Sequence, residues 1–330
     1  MRRKPFSKNF CALCGHACQV RRDLGQIGRC GALPQAELAA ALLHYGEEPP
    51  ISGLDPALGG SGTIFFSRCN LRCVFCQNWQ ISQPDAVTPN APVPGQSTTT
   101  EDLAEIMLGL QKKGALNINL VSPTPHAHAI VPALRLARTR GLRLPVVYNS
   151  GGYDSILALR LLDGLVDIYL PDAKLGPAAL KTQDRDPLAL RLLGAEDYVS
   201  VNQTALREMF RQVGHLKTDR RGAAMRGLLI RHLVLPADLA RTRSLIPLLA
   251  ANFGPDLHLS LMAQYQPLHL TQSRPENFGD LPGLLRPLRA DEYEEGVDLA
   301  LQHGLTRAFV QELEAGAEYL PDFRRRDVFR

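Results

Sequence analysis

Residues 63–78 read TIFFSRCNLRCVFCQN, and this stretch decides the fold class of the chain. Its first five residues are β-branched, aromatic or small, which is typical of a short buried strand. Cys69, Cys73 and Cys76 follow directly, with the spacing C-x3-C-x2-C. Folds that alternate strands and helices place their active sites in loops at the carboxyl ends of strands. The cysteine loop is therefore the first candidate site.

Similar buried-strand runs follow along the chain, at 117–121, 145–148, 166–170, 228–235 and 257–262, with a further run at 308–311. Each is short and nearly continuous in apolar residues, as expected for parallel strands that are covered on both faces. Helical stripes of apolar residues lie between them, for example Leu103, Met107 and Leu110. The alternation predicts an α/β fold with a partial (β/α)6 barrel of the TIM type; a doubly wound open sheet is the alternative.

Composition divides the chain into segments. Residues 1–46 hold a cysteine cluster and are expected to form a small metal-binding or iron–sulfur segment. The Gly/Pro/Ser-rich stretch 47–62, EEPPISGLDPALGGSG, is the predicted linker. We expect the barrel to occupy 63–312 and a C-terminal tail to occupy 313–330.

Charge and hydropathy exclude several classes of protein. The chain has 330 residues and a net charge of only +4, and its basic residues are scattered, so we expect no nucleic-acid partner. No apolar stretch follows the basic start, and the most apolar later segment, 227–236, is interrupted by Arg231 and His232. We therefore expect a cytoplasmic protein with no membrane partner. Neither G-x-G-x-x-G after the first strand nor a P-loop occurs, so nucleotide binding of those kinds lacks its signature.

The seven cysteines fall into two groups, namely Cys11, Cys14, Cys18 and Cys30, and then Cys69, Cys73 and Cys76. An odd number leaves one cysteine over in any disulfide scheme, and tight clusters without a secretion signal favour metal or iron–sulfur ligation. The second group supplies only three thiolates. Because a cubane cluster has four irons, three thiolates leave one iron open to a substrate or cofactor. A zinc site that lacks one ligand is the alternative.

This loop and its setting resemble the radical SAM superfamily, in which C-x3-C-x-Phe-C follows the first strand of a six-unit β/α chain. The following Gln77-Asn78 is similar to the activating enzymes of glycyl radical enzymes, such as pyruvate formate-lyase activating enzyme. The likeness to an uncharacterised branch of these activase-like proteins covers nearly the whole chain, through the phrases HYGEEPPISG, NINLVSPTPH, VYNSGGYDS, VDIYLPDAK, IRHLVLP and SLMAQYQP.

The resemblance implies a [4Fe-4S] cluster held by Cys69, Cys73 and Cys76, with S-adenosylmethionine (SAM) on the open iron. It implies reductive cleavage of SAM to a 5′-deoxyadenosyl radical, which abstracts hydrogen from a substrate. The partners that it implies are an electron donor such as flavodoxin or ferredoxin, and a glycyl radical enzyme or another protein substrate.

The resemblance also suggests which residues hold SAM. Asp172 and Lys174 match the Asp-x-Lys element of activases, and Lys174 suits a carboxylate; an ordinary strand-end ion pair is the alternative. Asn149 and Gly151 lie where activases carry an Asn-Gly element, although a turn explains the glycine equally well. Arg231 resembles the arginine that activases direct at SAM, and an arginine in an apolar strand needs a partner of some kind.

Asn78, beside the cysteine loop, is a further candidate for SAM binding. Activases place Gly-Gly-Glu after the second strand to bind the SAM amino group, whereas this chain has VSPTPH at 121–126, with no carboxylate. The hydroxyls of Ser122 and Thr124 are candidates for the replacing contacts. His126 is a candidate substrate contact.

Gln264 and Tyr265 follow the sixth predicted strand and are further candidate substrate contacts. A capped strand end explains them equally well. No residue is assigned a catalytic role.

The N-terminal group, Cys11, Cys14, Cys18 and Cys30, supplies four thiolates. This number closes a tetrahedral zinc site or caps every iron of a second iron–sulfur cluster. His16 lies in the same loop as an alternative ligand. An auxiliary cluster that relays electrons and a structural zinc knuckle both fit.

Three functions remain open. The first is a radical SAM oxidoreductase of the activase type, which abstracts hydrogen from a glycine of a partner enzyme. The second is a radical SAM enzyme that modifies another peptide or a small metabolite. The third is a two-cluster iron–sulfur electron carrier without enzymatic activity.

Overall fold

A computed structural model describes residues 10–53, 55, 59–86, 93–178, 185–313, 320–325 and 328–329. Its centre is one mixed sheet with the strand order β10-β9-β8-β6-β5-β4-β2-β1-β3. The strands are β1 (Ala36–His44), β2 (Ser61–Phe66), β3 (Gln96–Thr98), β4 (Asn117–Val121), β5 (Val146–Ser150), β6 (Ile168–Pro171), β7 (Lys217–Thr218), β8 (Ala224–Leu233), β9 (His258–Met262) and β10 (Ala308–Val310).

From β2 onward the neighbouring strands β2, β4, β5, β6, β8, β9 and β10 pair in parallel. Their spatial order follows their order in the chain, without the reversal that marks a doubly wound sheet. In the described residues β3 and β10 lie at the two edges, so the sheet is open. The predicted α/β fold with a partial barrel is confirmed, and the doubly wound alternative is wrong.

Helices separate the strands along the chain. They are α1 (Pro49–Ser52), α2 (Trp79–Ser82), α3 (Thr100–Lys112), α4 (Ala127–Thr139), α5 (Ile156–Leu162), α6 (Pro187–Leu193), α7 (Tyr198–Val213), α8 (Thr242–Phe253), α9 (Leu270–Ser273) and α10 (Ala290–Gln302). Thr99 caps α3, since its hydroxyl accepts a hydrogen bond from the Asp102 backbone. Within the described residues, no helix has both the length and the apolar character that crossing a bilayer requires.

The strands bury side chains on both faces, as their sequences predict. One face packs against the long helices, with Tyr148, Tyr169 and Ile230 in the main core. The alternate residues of the same strands, among them Val147 and Leu229, form a second cluster with Ile51 of α1. Because successive side chains in a strand point to opposite faces, this second cluster lies inside the curved sheet. Helix α1 therefore packs inside the partial barrel.

The sequence prediction did not include two structural features of residues 36–66. Strand β1 lies in the segment expected to be only metal-binding, and it pairs antiparallel with β2. The predicted linker 47–62 contains α1 and the start of β2. The boundaries of the predicted segments stay a prediction. Parts of these segments, including residues 1–9, 314–319, 326–327 and 330, lie outside the described residues.

Candidate active site

A cavity of about 570 Å³ lies at the carboxyl ends of the parallel strands. This size falls within the range of small-molecule and cofactor sites. All three cysteines of the 69–76 loop contribute to its wall. The other residues predicted as site residues that line it are Asn78, Ser122, Asn149, Gly151, Asp172, Lys174, Arg231 and Gln264.

The cysteine loop leaves β2 through a sharp turn. Arg68 has a left-handed backbone, with φ of 69°, and its side chain pairs with Glu37 of β1 at 2.7 Å. The Arg68 backbone N–H donates to the carbonyl of Ile81 in α2 at 2.6 Å. Further along the loop, Asn70 donates to the Tyr153 carbonyl at 3.0 Å. These bonds fix both the start of the loop and its position against the strand β5 side of the cavity.

Cys73 is buried in this wall, and Cys69 and Cys76 are half-buried beside it. Burial raises the pKa of Cys69 to about 12 and also raises the pKa of Cys73 and Cys76. A buried thiol of this kind becomes a thiolate when a metal ion replaces its proton. Ser82 approaches the Cys76 sulfur at 3.3 Å and is available to support it. A set of three thiols on one cavity wall suits the chemistry of an iron–sulfur cluster.

Within the described part of the chain, no three His, Cys, Asp or Glu side chains stand in the arrangement of a preformed metal site. The loop backbone is held from outside the cavity, for example by the bonds from Arg72 and Val74 to the carbonyls of Leu193 and Leu192.

Asp172 and Lys174 follow β6 and form an ion pair in the cavity wall. Burial by itself lowers the pKa of Lys174, but Asp172 and Cys73 outweigh it, so the pKa is raised and Lys174 is positively charged. Tyr198 of α7 holds this corner: its hydroxyl donates to the Gly151 carbonyl and accepts from the Lys174 backbone, both at 3.0 Å. The pair is therefore held in place in the cavity wall. It is also an ion pair at the end of a strand, which is the alternative that the sequence analysis left open.

Gly151 lies where β5 meets the cysteine loop. A Cβ atom there would come within 2.8 Å of the end of the Leu71 side chain, so any other residue would require Leu71 to move. The neighbouring Gly152 has φ of 70°, and a Cβ atom there would meet the Asp172 carbonyl oxygen at 2.2 Å. The two glycines therefore let three active-site loops meet, which is a more specific role than an ordinary turn.

Arg231 of β8 has two carboxylate partners. Glu48 accepts from its Nε at 2.6 Å and from its Nη2 at 2.5 Å, and Glu47 accepts from the same Nη2. Burial by itself lowers the pKa of Arg231, but the charges of Glu47 and Glu48 raise it well above its ordinary value. Asn149 accepts a longer bond from Nη1 at 3.4 Å. An arginine in an apolar strand requires a partner, and the partners of Arg231 are Glu47 and Glu48, the first two residues of the predicted linker.

The loop after β4 carries no carboxylate toward the cavity. Ser122 lines the cavity with a left-handed backbone, φ 57°, and its N–H donates to the Asn149 carbonyl at 3.0 Å. Thr124 is buried, and its hydroxyl donates to Asp154 at 2.7 Å. The structure thus brings Ser122 to the site and leaves Thr124 behind it.

His126 and Tyr265 do not line the cavity either. The His126 ring is buried, bonds the Ser67 carbonyl at 2.8 Å and stacks on Phe66, and burial lowers its pKa to about 3. Tyr265 is buried and donates to the Leu284 carbonyl at 2.8 Å. Their positions favour packing roles over the predicted substrate contacts, which Gln264 alone of the three is placed to make.

The N-terminal cysteines lie next to the same region. Burial raises the pKa of Cys14 to about 12, with smaller effects from Cys30, Cys11 and Cys18, so the four thiols lie within electrostatic reach of one another. The His16 ring bonds the Asn70 carbonyl at 2.9 Å, which joins the two cysteine loops directly. Their ligation of zinc or a second cluster stays a prediction.

Sequence reasoning missed two sets of site residues. Glu47 and Glu48 line the cavity although they open the predicted linker, and the unpaired Arg231 was the signal for them. Asp154 is buried behind the cavity, where it accepts from the hydroxyls of Thr124, Tyr148 and Ser150. Its signal was weak, because a single aspartate after GGY reads as an ordinary loop residue.

Comparison with protein families gives a match between residues 63–177 and the model of the radical SAM superfamily. The matched segment contains the cysteine loop, Asn149, Gly151, Asp172 and Lys174. The match makes this segment, which is less than half of the chain, similar to the radical SAM superfamily. It covers neither the N-terminal cysteines nor Arg231.

A protein of Methanocaldococcus jannaschii with the name "Uncharacterized protein MJ0674" is 29% identical over 307 residues, which cover 92% of this chain and 77% of that protein. Among solved structures, the [FeFe]-hydrogenase maturase HydG matches with a TM-score of 0.45 and 11% identity, over 74% of this chain and 48% of HydG. Methylornithine synthase (PylB) matches with a TM-score of 0.43 and 15% identity, over 79% of this chain and 75% of that chain. Likenesses this distant assign no activity.

Proposed function

We propose that this chain is a radical SAM enzyme that reductively cleaves SAM and abstracts hydrogen from a substrate bound in the same cavity. The observation that carries the proposal is the convergence of Cys69, Cys73 and Cys76 with the Asp172–Lys174 pair on one cavity. When bound, the cluster supplies one electron to SAM, which gives methionine and a 5′-deoxyadenosyl radical. The family match supports this chemistry for the segment that carries the thiols.

The protein's own residues would bind and orient SAM. Lys174 is charged and suits the SAM carboxylate, while the Asp172 carboxylate suits an ammonium or hydroxyl. Gly151 lets the β5 loop approach the cysteine loop, and Asn149 and Ser122 add polar groups to the wall between them. Phe65, Phe75 and Leu71 give the cavity apolar walls that exclude water from a reactive species.

The test is anaerobic reconstitution with iron and sulfide, reduction with dithionite, and measurement of 5′-deoxyadenosine. We expect the wild type to form 5′-deoxyadenosine. We expect Cys73→Ser to show neither the absorbance of the cluster at the 69–76 loop nor this product, because the two remaining thiols no longer retain the cluster. An intact cluster in the wild type with no product would contradict the enzyme assignment and favour an electron carrier.

For the substrate, the geometry favours a small molecule. The inner end of the cavity is closed by α1 and carries the charged groups Glu47, Glu48 and Arg231. Charged groups there serve a substrate with polar groups of its own, whereas a glycine in a protein loop offers only backbone.

Hydrogen abstraction from a glycine of a partner enzyme, the role implied by the activase resemblance, is the second candidate. The position of the Asp172–Lys174 pair in the cavity favours it, since this pair matches the activase element. A glycyl radical signal by electron paramagnetic resonance, in a partner protein incubated with the reduced enzyme and SAM, would select this candidate. Modification of a small molecule without such a signal would select the first.

A further inference from the structure

The inner end of the cavity has an excess of negative charge. Glu47 and Glu48 face a single guanidinium, that of Arg231, and their side chains are only 8% and 6% exposed. The other charged pair of the cavity, Asp172 with Lys174, balances itself. Buried charges are normally matched one to one, because an unpaired buried ion loses its hydration without a replacing partner. Among the described residues, one carboxylate therefore lacks a lysine or arginine partner of its own. His44 lies within electrostatic reach of Glu47, but burial lowers the pKa of His44, so it does not supply a matching positive charge.

The bonding pattern indicates which carboxylate this is. Glu48 holds Arg231 with both of its oxygens, which is the two-point geometry of a complete arginine–carboxylate pair. Glu47 gives Arg231 only one oxygen, while its other oxygen accepts from the Asn119 side-chain amide at 2.8 Å. An ionised carboxylate offers about four lone pairs, so Glu47 keeps acceptor capacity that no described donor uses.

Asn119 provides a second and independent observation. Its side-chain oxygen is buried and has no hydrogen-bond partner in the described residues. The bond from its NH2 group to Glu47 fixes the orientation of the amide, because the reverse orientation would place two acceptors against each other. Asn119 lies two residues before Val121 on β4, hence on the same strand face; Val121 lines the cavity, and the fully buried Asn119 lies behind that lining, in contact with the lining residue Glu47. A buried amide oxygen without a donor costs stability, so a donor is expected there when the site is filled.

We propose that Glu47 and Asn119 bind a primary ammonium group of the substrate. This inference rests on the proposed radical SAM function and specifies its substrate class. The free groups of this corner are acceptors, and an ammonium carries three N–H donors, a positive charge and no acceptor. A carboxylate or phosphate ligand would meet Glu47 with like charge.

The ammonium of SAM is the competing occupant, and the order of groups across the cavity argues against it. A Cβ atom on Gly151 would meet Leu71 of the cysteine loop at 2.8 Å and Lys174 at 3.7 Å, so Lys174 lies beside that loop. Asp172 precedes Lys174 and bridges by its backbone to Arg231 on the next strand. Glu47 contacts Arg231 and also reaches Asn119 on β4. In the strand register Asn119 is level with Val147 and Ile168, which precede Asp172 and the strand ends, so the acidic corner extends deeper into the barrel than the pair proposed to hold SAM.

The test is ligand-observed NMR titration of the reconstituted, SAM-loaded protein with n-butylamine, and with 1-butanol as the uncharged analogue. We expect butylamine to bind about tenfold or more tightly than butanol, as the loss of a charged hydrogen bond predicts. Glu47→Gln keeps the shape of the side chain and removes its charge, and we expect it to weaken butylamine binding by a similar factor. Glu294→Gln, on the exposed face of α10, is the matched control and should bind butylamine as the wild type does.

Equal binding of butylamine and butanol by the wild type would overturn the proposal without any variant, so it stays testable if Glu47→Gln fails to fold. Unchanged butylamine binding in a folded Glu47→Gln protein would also overturn it. So would a loss of SAM affinity larger than the loss of butylamine affinity, because Glu47 would then face SAM. The titration needs no turnover, so a failure to form 5′-deoxyadenosine sinks the proposed function separately.

Discussion

Asp154 illustrates how one residue supports a site that it does not touch. It is 1% exposed and accepts from three hydroxyls, those of Thr124, Tyr148 and Ser150. These hydroxyls join the loops after β4 and β5, and Ser150 precedes Gly151 at the cavity. Burial raises the pKa of Asp154 more strongly than the three hydroxyls lower it. The folded state therefore binds a proton at this carboxyl more readily than the unfolded chain.

The raised pKa of Asp154 predicts a pH dependence. An acid whose pKa is higher in the folded state stabilises that state as pH falls through this pKa, and the contribution is lost as pH rises. We expect the free energy of unfolding of the wild type, minus that of Asp154→Asn, to increase as pH falls from about 7 to about 4. Urea denaturation at several pH values measures this difference. A constant or opposite difference, or the same trend for the exposed Asp298→Asn control, would contradict the prediction.

The cysteines make a second prediction at the residue scale. Cys14 and Cys73 lie in separate loops that touch through His16 and Asn70, so each metal should bind with its own set of thiols. We expect Cys14→Ser to lose the N-terminal metal and to retain the cluster at Cys69, together with formation of 5′-deoxyadenosine. Metal content per chain and the product assay measure the two effects. Loss of SAM cleavage in Cys14→Ser would show that the two sites are not independent.

At the scale of elements, α1 explains how a linker-like sequence becomes part of a barrel. Ile51 is fully buried against Val147, Ile168 and Leu229 on the inner face of the sheet. Pro49 starts the helix, where a missing N–H is tolerated, and Gly53 ends it with φ of 81°. The Asn117 amide donates to the Ile51 carbonyl at 2.6 Å and ties the helix to β4. The same short helix positions Glu47 and Glu48 at the inner end of the cavity.

Shortening the Ile51 side chain should therefore destabilise the whole barrel. We expect Ile51→Ala to lower the free energy of unfolding by about 2–5 kcal/mol, as is common for a buried isoleucine. Ile27→Ala, at a position that is 62% exposed, is the matched control and should change it by less than about 0.5 kcal/mol. Urea denaturation compares both variants with the wild type. A small effect of Ile51→Ala would indicate that α1 contributes little to the core.

At the scale of the whole molecule, the C-terminal residues return to the start of the sheet. Phe329 lines the cavity, and its ring lies 4.1 Å from the His44 ring and 5.6 Å from the Phe65 ring, between centroids. Phe323 packs on the other side of Phe65 at 5.3 Å, and the backbone of Phe323 donates to Gln80 of α2 at 2.8 Å. The described part of the tail thus covers the cavity beside the cysteine loop.

This cover should protect a bound cluster. We expect Phe329→Ala to open the cavity to solvent and to increase the rate at which air bleaches the cluster absorbance of the reconstituted protein. Phe10→Ala, at a position that is 50% exposed, is the control and should bleach at the wild-type rate. Equal rates for the wild type and Phe329→Ala would show that the tail does not restrict access.

The sequence alone determined the fold class, the order of the parallel strands and the position of the cysteine loop. These features depend on local patterns: apolar runs of strand length, helical spacing between them, and three thiols at fixed separations after the first strand. The residues that follow strand ends, such as Asn149, Asp172 and Lys174, were also predictable, since parallel strands bring their carboxyl ends to one edge.

Only the tertiary structure decided which distant segments complete the site. Glu47 pairs with Arg231 across 184 positions of sequence, and Gln80 meets the backbone of Phe323 across 243. Composition predicted a linker at 47–62, because proline and glycine disfavour long helices and strands. The same residues suit the short helix α1, which packs inside the barrel. Thr124, His126 and Tyr265 were predicted to be site residues, but they are buried outside the cavity lining. Such choices depend on which face of each strand and loop is buried, and this is set by packing between segments far apart in the chain.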